Sequence, residues 1–121
     1  MYRSMSLAAF LMLTACVQAP TRTPPSPEQT AAVDDAIRAE IDCGRRFIAQ
    51  IDDRTSDATT IALALALRCN AEYNAATESV AIGLDNDVQR RMLRQRRSGR
   101  EERIESFLPI VMQYRHTTKV K

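Results

Sequence analysis

The stretch Ala58-Thr59-Thr60-Ile61-Ala62-Leu63-Ala64-Leu65-Ala66-Leu67-Arg68-Cys69 admits two secondary structures. From Ile61 to Leu67 large and small apolar residues alternate, which is a strand period. Ile61, Leu65, Cys69 and Tyr73 also follow one another at intervals of four, which is a helix period. Alanine at every second position favours the helix, because alanine is the best helix former and a poor strand residue. The helical register also continues into Tyr73. We therefore expect one helix from Ala58 to about Ile82. Leu63 and Leu67 occupy another face, so this helix is apolar nearly all round and belongs at the centre of the fold.

The flanking segments extend the same pattern. Ser26-Pro27-Glu28-Gln29 has a capping residue, a proline suited to the first turn, and a glutamine placed to complete a capping box. Val33, Ile37, Ile41, Ile48 and Ile51 then mark one helix face, widened by Phe47. The polar run Asp52–Asp57 is a turn, with Ser56 or Asp57 capping the central helix. Gly83 terminates that helix, and Asp85 caps the next. Ile104, Phe107, Leu108, Val111 and Met112 fit an i, i+3, i+4, i+7, i+8 stripe. Gly99 and Pro109 interrupt the third helical region, and Pro109 should kink or break it. There is no internal repeat and no Trp, and only three Gly occur. The expected fold is all-α: a small three-helix bundle over residues 27–121, its third helix kinked or split.

The N-terminus has a different character. Arg3 precedes the apolar run Leu7–Ala15, which is broken only by Thr14 and is too short to span a bilayer. A charged start, a short apolar core and small residues before a cleavage point describe a signal peptide, residues 1–15. Leu13-Thr14-Ala15-Cys16 resembles the lipobox of bacterial lipoprotein precursors. The resemblance covers residues 1–16. It implies diacylglycerol on the Cys16 sulfur, cleavage between Ala15 and Cys16, and acylation of the new amino group. Each buried methylene contributes about 0.8 kcal/mol, so two or three chains hold a protein at a membrane. Val17 after the cysteine resembles the outer-membrane default, which implies a domain facing the periplasm. Residues 16–26 carry Pro20, Pro24 and Pro25 among Thr and Gln, the composition of a semi-rigid spacer. The stretch from Cys43 to Glu78 is similar to small uncharacterised proteobacterial lipoproteins, a resemblance that implies no activity.

That compartment is oxidising, and disulfides are expected there. The remaining cysteines are Cys43 and Cys69, whose sequence midpoint is Ser56, inside the expected turn. In an antiparallel hairpin both lie about 15–18 Å from the loop, at 1.5 Å per residue. We expect a Cys43–Cys69 disulfide closing a loop of about 25 residues. A zinc site needs about four ligands. His116 is the only histidine and lies near the C-terminus, where it is expected to be exposed and non-catalytic. No Cys-x-x-Cys motif occurs. No metal or cofactor is expected.

Charge divides the chain. Residues 27–84 carry ten acidic and five basic groups, and residues 85–121 carry five acidic and ten basic. Two opposed halves favour docking on one another. Arg90, Arg91, Arg94, Arg96, Arg97, Arg100 and Arg103 fall within fourteen residues, dense enough to grip anionic lipid, envelope polymer or an acidic partner. The plainer reading is a solvated face paired with Glu101, Glu102 and the acidic half. Nucleic acid is not expected as a partner in an envelope location. Asp52, Asp53 and Asp57 lack EF-hand spacing and its glycine, and capping explains them. Arg68, Glu72, Tyr73 and Asn74 would form a small polar patch, although Tyr73 continues the core stripe. No nucleophile elbow, phosphate loop or paired-carboxylate motif is present. The chain is expected not to be an enzyme. Two functions remain: a lipid-anchored envelope accessory that binds another envelope protein, or a module that binds an anionic surface through Arg90–Arg103. A toxin, lysis or immunity factor is a third class compatible with these features.

Overall fold

The structure, a computed structural model, describes residues 23–119, so the lipobox with Cys16 lies outside the described residues. Five helices follow in order: α1 (Pro27–Ile51), α2 (Ala58–Arg68), α3 (Asn70–Ile82), α4 (Asp87–Ser98) and α5 (Arg100–Lys119). The all-α expectation holds, but the three-helix bundle does not. The second expected helix is divided at Cys69, and the third is divided at Gly99.

The start of α1 forms as its sequence dictates. The Ser26 side chain accepts a hydrogen bond from the Gln29 N–H at 3.2 Å, and the Ser26 N–H donates to Gln29 Oε1 at 2.9 Å. These two bonds satisfy helix-end groups reciprocally. Asp57 caps α2 by accepting from the Thr60 N–H at 2.8 Å. Asn86, not Asp85, caps α4, accepting from the Val88 N–H at 2.7 Å. The helix begins one residue later than expected, and its first turn takes Asp87, favourable beside the N-terminal partial charge.

Cys69 ends α2 with φ −99° and ψ 29°, and α3 begins at the next residue. No Gly or Pro marks this break. Its reason is tertiary: α2 packs chiefly on α5, whereas α3 packs on α1. A straight helix over residues 58–82 would serve only one of those partners. The break also leaves Leu67 on the outside, 64% exposed, so α2 is not buried all round as its composition implied.

The core lies where α1, α2 and α5 meet. Ile61, Leu65, Cys69 and Tyr73 are all buried, with Ile48, Phe107, Ile110 and Val111 against them. Gly44, in the middle of α1, permits the close approach of α5. A Cβ there would sit 2.6 Å from Ile110 Cδ1 and 3.1 Å from Phe107 Cδ1. Pro109 lies inside α5, which continues through it to Lys119. Both Pro109 and Glu105, whose carbonyl loses its helical donor, are exposed, so water can serve that carbonyl. His116 is exposed on the last turns of α5.

The loop between α1 and α2 is clamped from the far end of α5. Arg115 donates from Nε and Nη2 to the two Asp52 carboxylate oxygens at 2.9 and 2.6 Å, and from Nη2 to the Ser56 carbonyl at 2.8 Å. These bonds, with the Arg54 N–H, hold the Asp52 carboxyl below its usual range against the opposing effect of burial. Asp53 accepts from the Thr55 and Ser56 N–H groups. The loop aspartates thus act as turn and cap residues. Arg54 occupies the left-handed region at φ 62°, and its guanidinium lies 4.7 Å from the Tyr114 ring centroid.

Cys43 and Cys69 are joined by a disulfide, with Cα atoms 5.9 Å apart and a sequence separation of 26. Two measurements follow. Replacing both cysteines by serine should lower stability by about 3 kcal/mol. For a domain of this size that is a fall in Tm of about 15 °C, readable by circular dichroism; an unchanged Tm would remove the disulfide from the account. Asp52→Asn should destabilise the protein at neutral pH. Because the folded pKa of Asp52 is depressed, its contribution is present above the unfolded value of about 3.9 and disappears as pH falls through the folded value. The stability gap between wild type and Asp52→Asn should therefore close on acidification below about pH 4, and a gap constant with pH would refute the clamp.

Candidate functional site

The arginine run does not present one continuous surface. α4 packs on α3 and on the start of α5, and the helix period sends its arginines in different directions. Arg94 faces α3, donating from Nε and Nη2 to the Glu78 oxygens at 2.8 and 2.9 Å, a bidentate pair. This pairing holds Glu78 below its usual value. Arg90 turns back to Asp87 and to the Leu84 carbonyl, lowering Asp87 in turn. Arg103 donates to Asn70 Oδ1 at 2.7 Å. Arg96 pairs with Glu102 yet keeps a side chain 71% exposed. Arg91 and Arg100 are exposed and, among the described residues, form no ion pair.

Arg97 reaches deepest. Its Nε donates to Thr77 Oγ1 at 2.7 Å and its Nη2 to Glu40 Oε2 at 3.3 Å. Its guanidinium lies 4.3 Å from the centroid of the Tyr73 ring, and Arg103 lies 4.9 Å from the same centroid. The Tyr73 hydroxyl donates to the Arg97 carbonyl at 2.7 Å. Tyr73, 1% exposed, is thus a core residue with its polar end satisfied by α4. Arg94, Arg97 and Arg103 converge on a cleft of about 150 Å³ bordered by Asn74, Thr77 and Ser98.

Glu40 is the functional-looking residue that the sequence reading passed over. It is 6% exposed, with only Arg97 as its ion-pair partner among the described residues. Burial pushes its carboxyl up, and Arg97 and the Ser106 hydroxyl pull it partly back. The available signal was its place in the set Glu40, Cys43, Gly44, Phe47 and Ile48, which has the spacing of a core stripe. Among the described residues no buried side-chain nitrogen or oxygen lacks a hydrogen-bond partner. A satisfied network of this kind locks helices together. Glu40, Arg97 and Tyr73 are therefore the joint between α1, α3 and α4.

Other expected constellations disperse. Arg68 lies over the Phe47 ring at 4.4 Å, and Tyr73 is buried in the core, so the polar patch with Glu72 and Asn74 does not assemble. The Cys43 and Cys69 sulfurs lie near the Glu72 carboxylate, a grouping with metal-ligand character. Both sulfurs are bonded to one another, however, and a thiolate is what a metal requires. No protein-family model, curated protein or solved structure matches this chain.

Arg97→Ala would leave Glu40 buried without its cation, which should cost about 3 kcal/mol. Adding Glu40→Gln should restore much of that loss. Burial raises the folded pKa of Glu40, and without Arg97 nothing charged opposes it, so in the variant the protonated form is tolerated better than the ionised one. The defect should therefore be smaller near pH 5 than at pH 8. Thermal melts of both variants at the two pH values check this, and a pH-independent defect would rule out Glu40 as its source.

Proposed function

We propose that this chain is a lipid-anchored protein of the bacterial cell envelope that works by binding rather than by catalysis. In this reading residues 1–15 are removed, Cys16 carries the lipid, and residues 16–26 hold a helical domain off the outer membrane on its periplasmic side. The observation that carries the proposal is the Cys43–Cys69 disulfide, placed where three structural elements meet in the core. Such a bond belongs to an oxidising compartment, and the lipobox-like sequence addresses the chain to one. The polar groups that converge near Tyr73 support a binding role as well. They satisfy one another and fasten the helices, leaving the outer face of α5 for a partner, which we take to be another envelope protein.

The second reading makes residues 90–103 a grip for anionic lipid or envelope polymer. Arg90, Arg94, Arg97 and Arg103 are engaged within the fold, which narrows that reading to the outward arginines Arg91, Arg96 and Arg100.

Fractionation of cells producing the wild type and Cys16→Ser tests the anchor. Wild type should partition with the outer membrane and the variant should not; identical partitioning would remove the anchor from the proposal. Cross-linking of the wild type in intact cells, followed by mass spectrometry, should capture one dominant envelope protein. Enrichment of anionic lipid or polymer without such a protein would favour the second reading.

A further inference from the structure

The α3–α4 corner carries an apolar and basic surface that the fold does not use. Ile82 is 68% exposed, Val88 52% and Met92 64%. Val88, Arg91, Met92, Gln95 and Arg96 stand at i, i+3, i+4, i+7 and i+8 of α4, which is one helix face. That face is the outward one, because Arg90, Arg94 and Arg97 turn inward to Leu84, Glu78 and Glu40. No residue of α4 is buried. Asp87 is held by Arg90 on the other side of the helix, whereas Glu102 pairs with Arg96, so Arg91 is the arginine of this face that forms no ion pair among the described residues, and Asp85 lies at its edge.

A second, independent observation concerns where the chain enters the domain. Thr23, Pro24 and Pro25 border the same cleft as Gly83, Leu84, Asp85 and Gln89. The segment leading back to Cys16 therefore leaves the domain beside this corner. Cys16 stands seven positions before Thr23, a reach of at most about 25 Å. The opposite end, where Asp52 meets Arg115, lies about 37 Å away along the 25 residues of α1.

We infer that the outward face of α4, with Val88 and Met92 as its apolar part and Arg91 as its unpaired basic group, lies on an anionic lipid bilayer. This rests on the membrane attachment proposed above and names the surface that meets the membrane. The chemistry is that of an interfacial amphipathic helix: apolar side chains enter the headgroup boundary while arginines meet lipid phosphates. The short tether keeps the face at high local concentration beside its target, so weak contact suffices.

The test uses the full chain purified from membranes and reconstituted into vesicles. A photoreactive benzoylphenylalanine replaces Met92 in one preparation. In another it replaces Met112, an exposed residue next to Gln113, which shares a groove with Arg45 and Ile48 in the far half of α1. The vesicles are phosphatidylcholine alone, or phosphatidylcholine mixed with phosphatidylglycerol. Position 92 should give about fivefold more lipid adduct in the anionic vesicles than position 112, and Arg91→Glu should abolish that excess. Circular dichroism checks that Arg91→Glu, at an exposed residue with no ion pair among the described residues, still folds. Equal adduct from both positions, an excess indifferent to phosphatidylglycerol and to Arg91→Glu, or capture of a second protein copy from position 92 would overturn the inference. Intact mass reports Cys16 separately. Acylated Cys16 without the excess sinks the α4 surface alone, whereas unmodified Cys16 with the excess retained sinks the anchor alone.

Discussion

The rest of the structure depends on one covalent constraint. Cys43 on α1 and Cys69 between α2 and α3 are tied at the point where the chain changes packing partner. Below the tie α2 fills the space between α1 and α5, and beyond it α3 runs along α1. The bond fixes both the distance between these elements and the place of the bend. A domain of about 90 residues has a modest core, and here that core depends on Ala62, Ala66 and Gly44 for close helix approach. Close packing of small residues works only where the backbones are held in register, and the disulfide holds them.

Around that tie, charge completes what apolar burial leaves unfinished. α4 has no buried residue and would have little reason to stay on α3 through apolar contact. Its attachment is polar: Arg94 on Glu78, and Arg97 on Thr77, Glu40 and the Tyr73 ring. Exposed pairs such as Arg94 with Glu78 contribute little individually. The buried carboxylate of Glu40 is different, since it accepts only an arrangement that supplies a cation. It therefore selects the position of α4 more than it stabilises the fold.

Much of this was legible in the residues. The interval of four from Ile61 to Tyr73, the capping box at Ser26, the Gly99 division and the pairing of Cys43 with Cys69 follow from period, cap chemistry and hairpin geometry. The bend at Cys69 was not legible, because no breaker residue marks it and its cause is a choice between α1 and α5 as partners. Pro109 does not break α5, since its cost falls on an exposed carbonyl that water can serve. Which arginines of the run turn inward was not legible, because composition carries no direction. Only the helix phase separates Arg94 and Arg97, which hold α4 in place, from Arg91, which faces outward. Glu40 was hidden for a similar reason: the isoleucine stripe drew the eye to one face of α1 while the deepest contacts lie on the adjacent one.

The loop from Asp52 to Asp57 is the most exposed connection inside the segment that the disulfide closes. Exposed loop tips of small polar residues are where proteases cut. A cut between Asp53 and Thr55 would sever the backbone yet leave α1 covalently joined to everything from α2 onward. The nicked protein would be two polypeptides behaving as one, inseparable until reduced.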